Sequence, residues 1–149
     1  MTVKNNETAL ITGASSGIGA ELSHQFAADG IDVVLVARSK AKLEKLADDL
    51  QREYAIKAHV IARDLSVETA PEEIYDELKG QGITIDYLVN NAGFGNFGPF
   101  IDQNLDNELD MLRVNVLALT ALTRLFLPSM IEKGRGPILN LASVASFMP

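Results

Sequence analysis

Three glycines carry the clearest chemistry in this chain: Gly13, Gly17 and Gly19, in the stretch Thr12-Gly13-Ala14-Ser15-Ser16-Gly17-Ile18-Gly19. The apolar run Ala9-Leu10-Ile11 leads into them, and a helical pattern comes next, with Ile18, Leu22 and Phe26 four apart on one face. A strand, a glycine-rich turn and a helix N-terminus make a ready site for a diphosphate. Gly13 permits a turn that a side chain would obstruct. Gly17 lets backbone N–H groups approach phosphate oxygens, and Gly19 allows close packing of helix on strand. The helix start adds unpaired donors and a partial positive charge, and Ser15 and Ser16 can cap the helix or donate further hydrogen bonds.

With Thr12 in front and Ile18 between the last two glycines, the spacing Gly-x-x-x-Gly-x-Gly resembles the cofactor turn of the short-chain dehydrogenase/reductase family. The resemblance extends along the whole chain. It implies an oxidoreductase that transfers hydride between a nicotinamide cofactor and a carbonyl or alcohol. Asp64-Leu65 resembles the family's adenine-binding pair, in which the aspartate accepts from the adenine amino group and the next N–H donates to the ring. The plainer alternative is that Asp64 caps the following turn. Asn91-Ala92-Gly93 resembles the element that joins the central strand to its neighbours and lines the adenine ribose.

The residues after the second apolar run bear on which nicotinamide is held. An NAD site places a carboxylate there for the ribose 2′-hydroxyl, whereas this chain has Ala37, Arg38 and Ser39. A guanidinium can pair bidentately with a 2′-phosphate, so NADP(H) is favoured over NAD(H). The nearest acid, Asp32, lies at the start of that run, and the alternative for Arg38 is a solvated surface arginine.

Ser143 and Asn115 resemble two catalytic residues of the family. The serine binds the substrate oxygen and the asparagine holds a water in a proton relay. The family's Tyr-x-x-x-Lys pair comes after the serine on the next helix, and no such pair stands between Ser143 and Pro149. Tyr75-Asp76-Glu77-Leu78-Lys79 fits the letters, but it precedes the fourth strand on a covering helix and is read as a decoy. Phe94, Phe97 and Phe100 come after the fourth strand and either wall an apolar substrate pocket or pack their own loop. The second functional class kept open is a dinucleotide-binding module without catalysis.

These residues need a scaffold of alternating strands and helices. Val33-Val34-Leu35-Val36 reads as a strand buried on both faces, Lys40 to Glu53 as a helix, and Lys57 to Ala62 as a third strand. A helix near Pro71 is next, then a fourth strand at Asp86-Tyr87-Leu88-Val89, a long helix from about Asn104 to Glu132, and a fifth strand at Pro137 to Leu141. The inner face of the long helix is expected at Leu105, Leu109, Leu112, Val116, Leu119 and Thr123, and Pro128 is expected to loosen its last turn. The pattern predicts an α/β Rossmann-type fold, doubly wound on a parallel sheet. By resemblance the strand order is 3-2-1-4-5, incomplete at the C-terminal edge, in one domain over 1–149.

The chain has 149 residues, 47% of them hydrophobic, enough for one cored domain. A net charge of -7 argues against nucleic acid as the main partner. The absence of cysteine excludes disulfides and thiol catalysis. His24 and His59 lack a metal-ligand spacing, so no metal is expected, and both read as solvent-facing. The polar start Met1-Thr2-Val3-Lys4-Asn5-Asn6, with no apolar run read as membrane-spanning, leads to the expectation of a cytoplasmic protein with no membrane partner. The resemblance adds a small-molecule carbonyl or alcohol substrate and a homodimer or homotetramer.

Overall fold

A computed structural model describes residues 7–143, so the polar start and the last six residues lie outside the described chain. Five parallel strands are β1 (Thr8–Thr12), β2 (Asp32–Ala37), β3 (Ala58–Ala62), β4 (Tyr87–Asn90) and β5 (Ile138–Asn140). They lie in the order β3-β2-β1-β4-β5, as expected. Between them run α1 (Gly17–Ala28), α2 (Lys40–Tyr54), α3 (Ala70–Gly80), α4 (Leu105–Leu112) and α5 (Leu119–Glu132). Strands β1 and β2 are almost wholly buried because helices cover both faces of the sheet.

Alternation along each strand divides the core in two. Ala9, Ile11, Val33, Leu35 and Val89 pack with Leu43, Ala47 and Leu50 of α2. Leu10, Val34, Val36 and Leu88 pack with Ile74 and Leu78 of α3 and with Leu122, Phe126 and Met130 of α5. At the amino ends of the strands, charged groups tie distant segments together. Asp86 accepts from the Thr8 N–H at 3.0 Å and from Lys133 Nζ at 2.7 Å, and Arg135 Nη1 donates to Glu7 Oε1 at 2.6 Å.

Three expectations are corrected. The sheet-facing stripe of α1 is Gly19, Ser23 and Ala27, with Leu22 and Phe26 half-buried beside it and Ile18 62% exposed. Small residues let the helix lie close on the sheet, and the Ser23 hydroxyl bonds back to the Gly19 carbonyl at 2.7 Å. The long helix presents Ala118, Leu122, Phe126 and Met130 inward, while Leu105, Leu109, Leu112 and Val116 are exposed. A π-helical segment, Arg113–Ala118, joins α4 to α5, and α5 continues through Pro128 to Glu132. Finally, His24 and His59 are half-buried; His24 packs edge-on against Tyr54 with ring centroids 6.1 Å apart.

The helical run Leu105–Glu132 also revises the reading that no apolar run is long enough to span a membrane. One window of it reaches a mean hydropathy of 1.6, long and apolar enough by length and composition. Its α5 half is nevertheless a covering layer of this sheet, through Leu122, Phe126 and Met130.

Candidate functional site

In a parallel sheet every strand ends at the same edge, so the turns after β1 to β5 meet there. The glycine turn comes after β1, Arg38 and Ser39 after β2, and Asp64 and Leu65 after β3. Asn91, Ala92 and Gly93 come after β4, and Ser143 lies three residues beyond β5. The fold thus brings the expected site residues to one edge, with Asn115 arriving from the π segment beside the loop after β4.

The glycine turn is shaped by contacts that only glycine allows. Gly13 has φ +68°, and a β-carbon there would come within 2.9 Å of the Ala92 Cα. A β-carbon at Gly19 would collide with the Gly13 carbonyl and the Asn91 side-chain amide. Gly17, at φ +55°, has open space where its β-carbon would project. Ser16 occupies the N-cap of α1 in an extended conformation, yet its hydroxyl makes no capping bond. The first turn of α1 thus receives no side-chain acceptor from its N-cap, and its leading N–H groups form a donor set that fits a diphosphate.

The turn is held from behind by a residue whose role the motif did not reveal. Thr12 Oγ1 donates to the Val89 carbonyl at 3.2 Å and accepts from the N–H groups of Asn91 at 3.0 Å and Ala92 at 2.9 Å. Asn91 Nδ2 returns a bond to the Thr12 carbonyl at 2.8 Å and reaches the Gly13 carbonyl at 3.3 Å. Asn91 is thereby a stitch between β4 and the turn after β1. The register of Ile11 with Val89 places these groups opposite one another, which sequence alone does not disclose.

Asn90, also unforeseen, is buried beside β5. Its Nδ2 donates to Thr123 Oγ1 at 3.1 Å and to Asn140 Oδ1 at 2.8 Å, and its main-chain carbonyl accepts from the Leu141 N–H at 3.0 Å. These bonds fix the strand that leads to Ser143, which is itself exposed.

Arg38 is exposed, and no carboxylate pairs with it among the described residues. Ser39 is the N-cap of α2 and likewise makes no capping bond. Asp64 does cap its turn, since Oδ1 accepts from the Ser66 N–H at 3.0 Å and the Ser66 hydroxyl at 2.9 Å. Its second carboxylate oxygen is not used by those bonds. Leu65 is buried in the core below.

Asn115 spends its side chain on the loop after β4. Nδ2 donates to the Phe94 carbonyl at 2.8 Å and Oδ1 accepts from the Phe94 N–H at 3.1 Å. Phe97 and Phe100 of that loop are largely exposed, so they do not pack the loop upon itself. Tyr75 and Lys79 lie away from this edge on α3. The Tyr75 ring packs against Phe126 at 5.4 Å, and Lys79 Nζ lies 5.8 Å from its centroid. No group of acidic and histidine side chains able to hold a metal occurs among the described residues.

A parallel sheet of this order, with glycine, asparagine and serine turns gathered at its carboxyl edge, defines a doubly wound protein of the Rossmann type. Residues 7–149 match the model of the short chain dehydrogenase family, and the chain belongs to that family. It is 37% identical over 147 residues to a very-long-chain 3-oxoacyl-CoA reductase of Anas platyrhynchos, covering 95% of this chain and 46% of that protein. Among solved structures it is similar to a bulky-bulky ketone specific alcohol dehydrogenase from Comamonas testosteroni, at 38% identity and a TM-score of 0.90, covering 97% of this chain and 58% of that one. A short-chain dehydrogenase from Sphingobium yanoikuyae, solved in complex with NADPH, is 37% identical with a TM-score of 0.89, over 96% of this chain and 56% of that one. The chain thus spans about half the length of the curated relatives it matches.

Proposed function

We propose that this chain supplies the cofactor-binding part of an NADP(H)-dependent oxidoreductase acting on a carbonyl or alcohol. The observation that carries the reading is the pairing of an α1 N-terminus with no side-chain cap, behind the glycine turn, with an exposed Arg38 after β2 that pairs with no carboxylate among the described residues. The turn and the first N–H groups of α1 would hold the diphosphate, with Ser15, Ser16 and Ile18 bordering it. Arg38 and Ser39 would hold the 2′-phosphate. Asp64, Leu65, Asn91, Ala92 and Gly93 would line the adenosine. The bound nicotinamide supplies or takes up the hydride. Ser143 would orient the substrate oxygen through its hydroxyl, and Asn115, whose side chain holds the Phe94 main chain, would stand beside the water of the proton relay.

The names of the relatives, a very-long-chain oxoacyl-CoA reductase and a bulky-ketone dehydrogenase, support a carbonyl flanked by large apolar groups as substrate. Exposed Phe97 and Phe100 suit such a group. The exposed row Leu105, Leu109, Leu112 and Val116 supports association of the complete protein as a homodimer or homotetramer.

Titration of the complete protein with NADPH and NADH tests the cofactor assignment. A bidentate guanidinium–phosphate pair is worth about 1.5–3 kcal/mol, so Arg38→Ala should weaken NADPH about tenfold or more and leave NADH nearly unchanged. Equal affinity for the two cofactors, or no effect of Arg38→Ala, would overturn it.

A further inference from the structure

A groove of about 340 Å³ lies away from the glycine turn, along the outer edge of β3 between α2 and α3. Strand β3 ends the sheet on that side. The Lys57 carbonyl accepts from the Val33 N–H at 2.9 Å, and the Arg63 N–H donates to the Ala37 carbonyl at 3.0 Å. Main-chain groups of alternate residues point to opposite sides of a strand, so those of residues 57, 59, 61 and 63 face β2. Those of Ala58, Val60 and Ala62 face outward.

Two side chains close the ends of this row. Gln51 Oε1 accepts from the Ala58 N–H at 3.5 Å, and Arg63 Nη1 donates to the Ala62 carbonyl at 3.0 Å. Between them the Ala58 carbonyl, both main-chain groups of Val60 and the Ala62 N–H make no hydrogen bond to a described residue. Their spacing is that of a strand awaiting a neighbour.

The rim is acidic. Glu44 and Asp48 stand one turn apart on α2, and Glu73 and Glu77 stand one turn apart on α3. Lys40 pairs with Glu44 at 3.6 Å, and Arg63 bridges Glu73 and Glu77 at 3.2 Å each. Asp48, which lines the groove, has no ion-pair partner among the described residues. A second copy joined edge to edge would bring two such rims together in a chain already carrying a net charge of -7.

We propose that the β3 edge is a docking site for an extended, lysine- or arginine-bearing segment of another protein, which adds a strand to the sheet. Its main chain pairs with Ala58, Val60 and Ala62. Its side chains alternate between the α2 and α3 rims, where the cations meet Asp48, Glu44 and Glu77.

The probe is a fluorescein-labelled ten-residue peptide of alternating lysine and valine, titrated onto the complete protein by fluorescence polarisation at physiological salt. Saturable binding is expected, falling tenfold or more in Val60→Pro and in Asp48→Lys. Proline at position 60 removes an outward N–H and takes no bond from the β2–β3 ladder, a placement edge strands tolerate. Asp106→Lys on α4, a charge change of the same size elsewhere, should leave affinity within twofold. If Val60→Pro does not fold, the same peptide methylated on alternate main-chain nitrogens serves instead, with unchanged charge and an expected loss of binding. Absence of binding, or binding indifferent to Val60→Pro and to N-methylation, would overturn the proposal. So would an equal loss in Asp106→Lys, which would mean general charge attraction. None of these readouts depends on the cofactor assignment.

Discussion

Thr12→Val replaces a hydroxyl by a methyl of nearly the same volume in a side chain that is 2% exposed. Three hydrogen bonds disappear, but their losses differ. The Asn91 N–H already has a second acceptor, the Val89 carbonyl at 3.1 Å, and that pair satisfies both groups after the change. The Ala92 N–H has no other acceptor among the described residues and is left unpaired beside the glycine turn. An orphaned buried donor costs about 1–3 kcal/mol, and because Ala92 is half-buried the expected destabilisation is in the lower part of that range, that of one orphan and not of three broken bonds. Urea unfolding of the complete protein should show a loss of about 1–2 kcal/mol with an unchanged slope. Thr12→Ser keeps the hydroxyl and should cost less than about 1 kcal/mol, the value of one buried methyl group. Because the stitch holds Asn91 behind the turn, Thr12→Val should also weaken cofactor binding. A loss below about 0.5 kcal/mol, or a serine variant as unstable as the valine one, would refute this account of the stitch.

Burial, reinforced by the bond from its hydroxyl to Glu7, raises the Tyr87 pKa above its ordinary value of 10.0. The corresponding stability is fully present below the unfolded value and lost as pH rises through the folded one, so an unfolding series above pH 10 should decline and Tyr87→Phe should flatten that decline. Leu112→Glu on the exposed row should raise the dissociation constant of the complete protein's assembly by tenfold or more, from about 1.5–3 kcal/mol per buried leucine; sedimentation equilibrium showing unaltered association would remove that row from the interface. The 149 residues produced alone should reduce no aldehyde or ketone with NADPH, because they hold no Tyr-x-x-x-Lys pair after Ser143 and a general acid is worth about 10²–10⁴ in rate. Turnover equal to that of a protein extended through the next helix would show that acid to be dispensable.

The glycine turn was legible because its constraints are local: Gly13 and Gly17 need positive φ, and both lie within a few residues of the strand and helix they join. The alternation of apolar runs pointed to the sheet, and its order came from the family resemblance. Partners set by register were not legible. Thr12 meets Ala92 across 80 positions, and Glu7 meets Arg135 across 128. Nothing near either residue in the chain signals the other. Asp64 exposes a different limit, since the residue that caps its turn through one carboxylate oxygen keeps a second one outside those bonds. Capping and adenine binding are compatible in one side chain.

The long helix explains why periodicity misjudged its inner face. The row Leu105, Leu109, Leu112 and Val116 has helical spacing, but it is exposed already in α4, where no residue is buried, ahead of the π segment. The inward row is Ala118, Leu122, Phe126 and Met130, on the face opposite Val116, so spacing marked an apolar stripe without saying which stripe the sheet covers. The outward row becomes Thr120, Arg124 and Pro128, which carry little exposed hydrocarbon beyond the proline ring. Bare apolar surface is therefore concentrated on the first half of the helix, the half that comes after the loop bearing Phe97 and Phe100 and that carries Asn115. A surface covering that half would lie against the carboxyl edge of the sheet, where the turn residues gather. Association of the complete protein through this row would also close over the site, so Leu112→Glu should lower kcat/KM together with association, and an unchanged kcat/KM in a dissociated variant would separate the two.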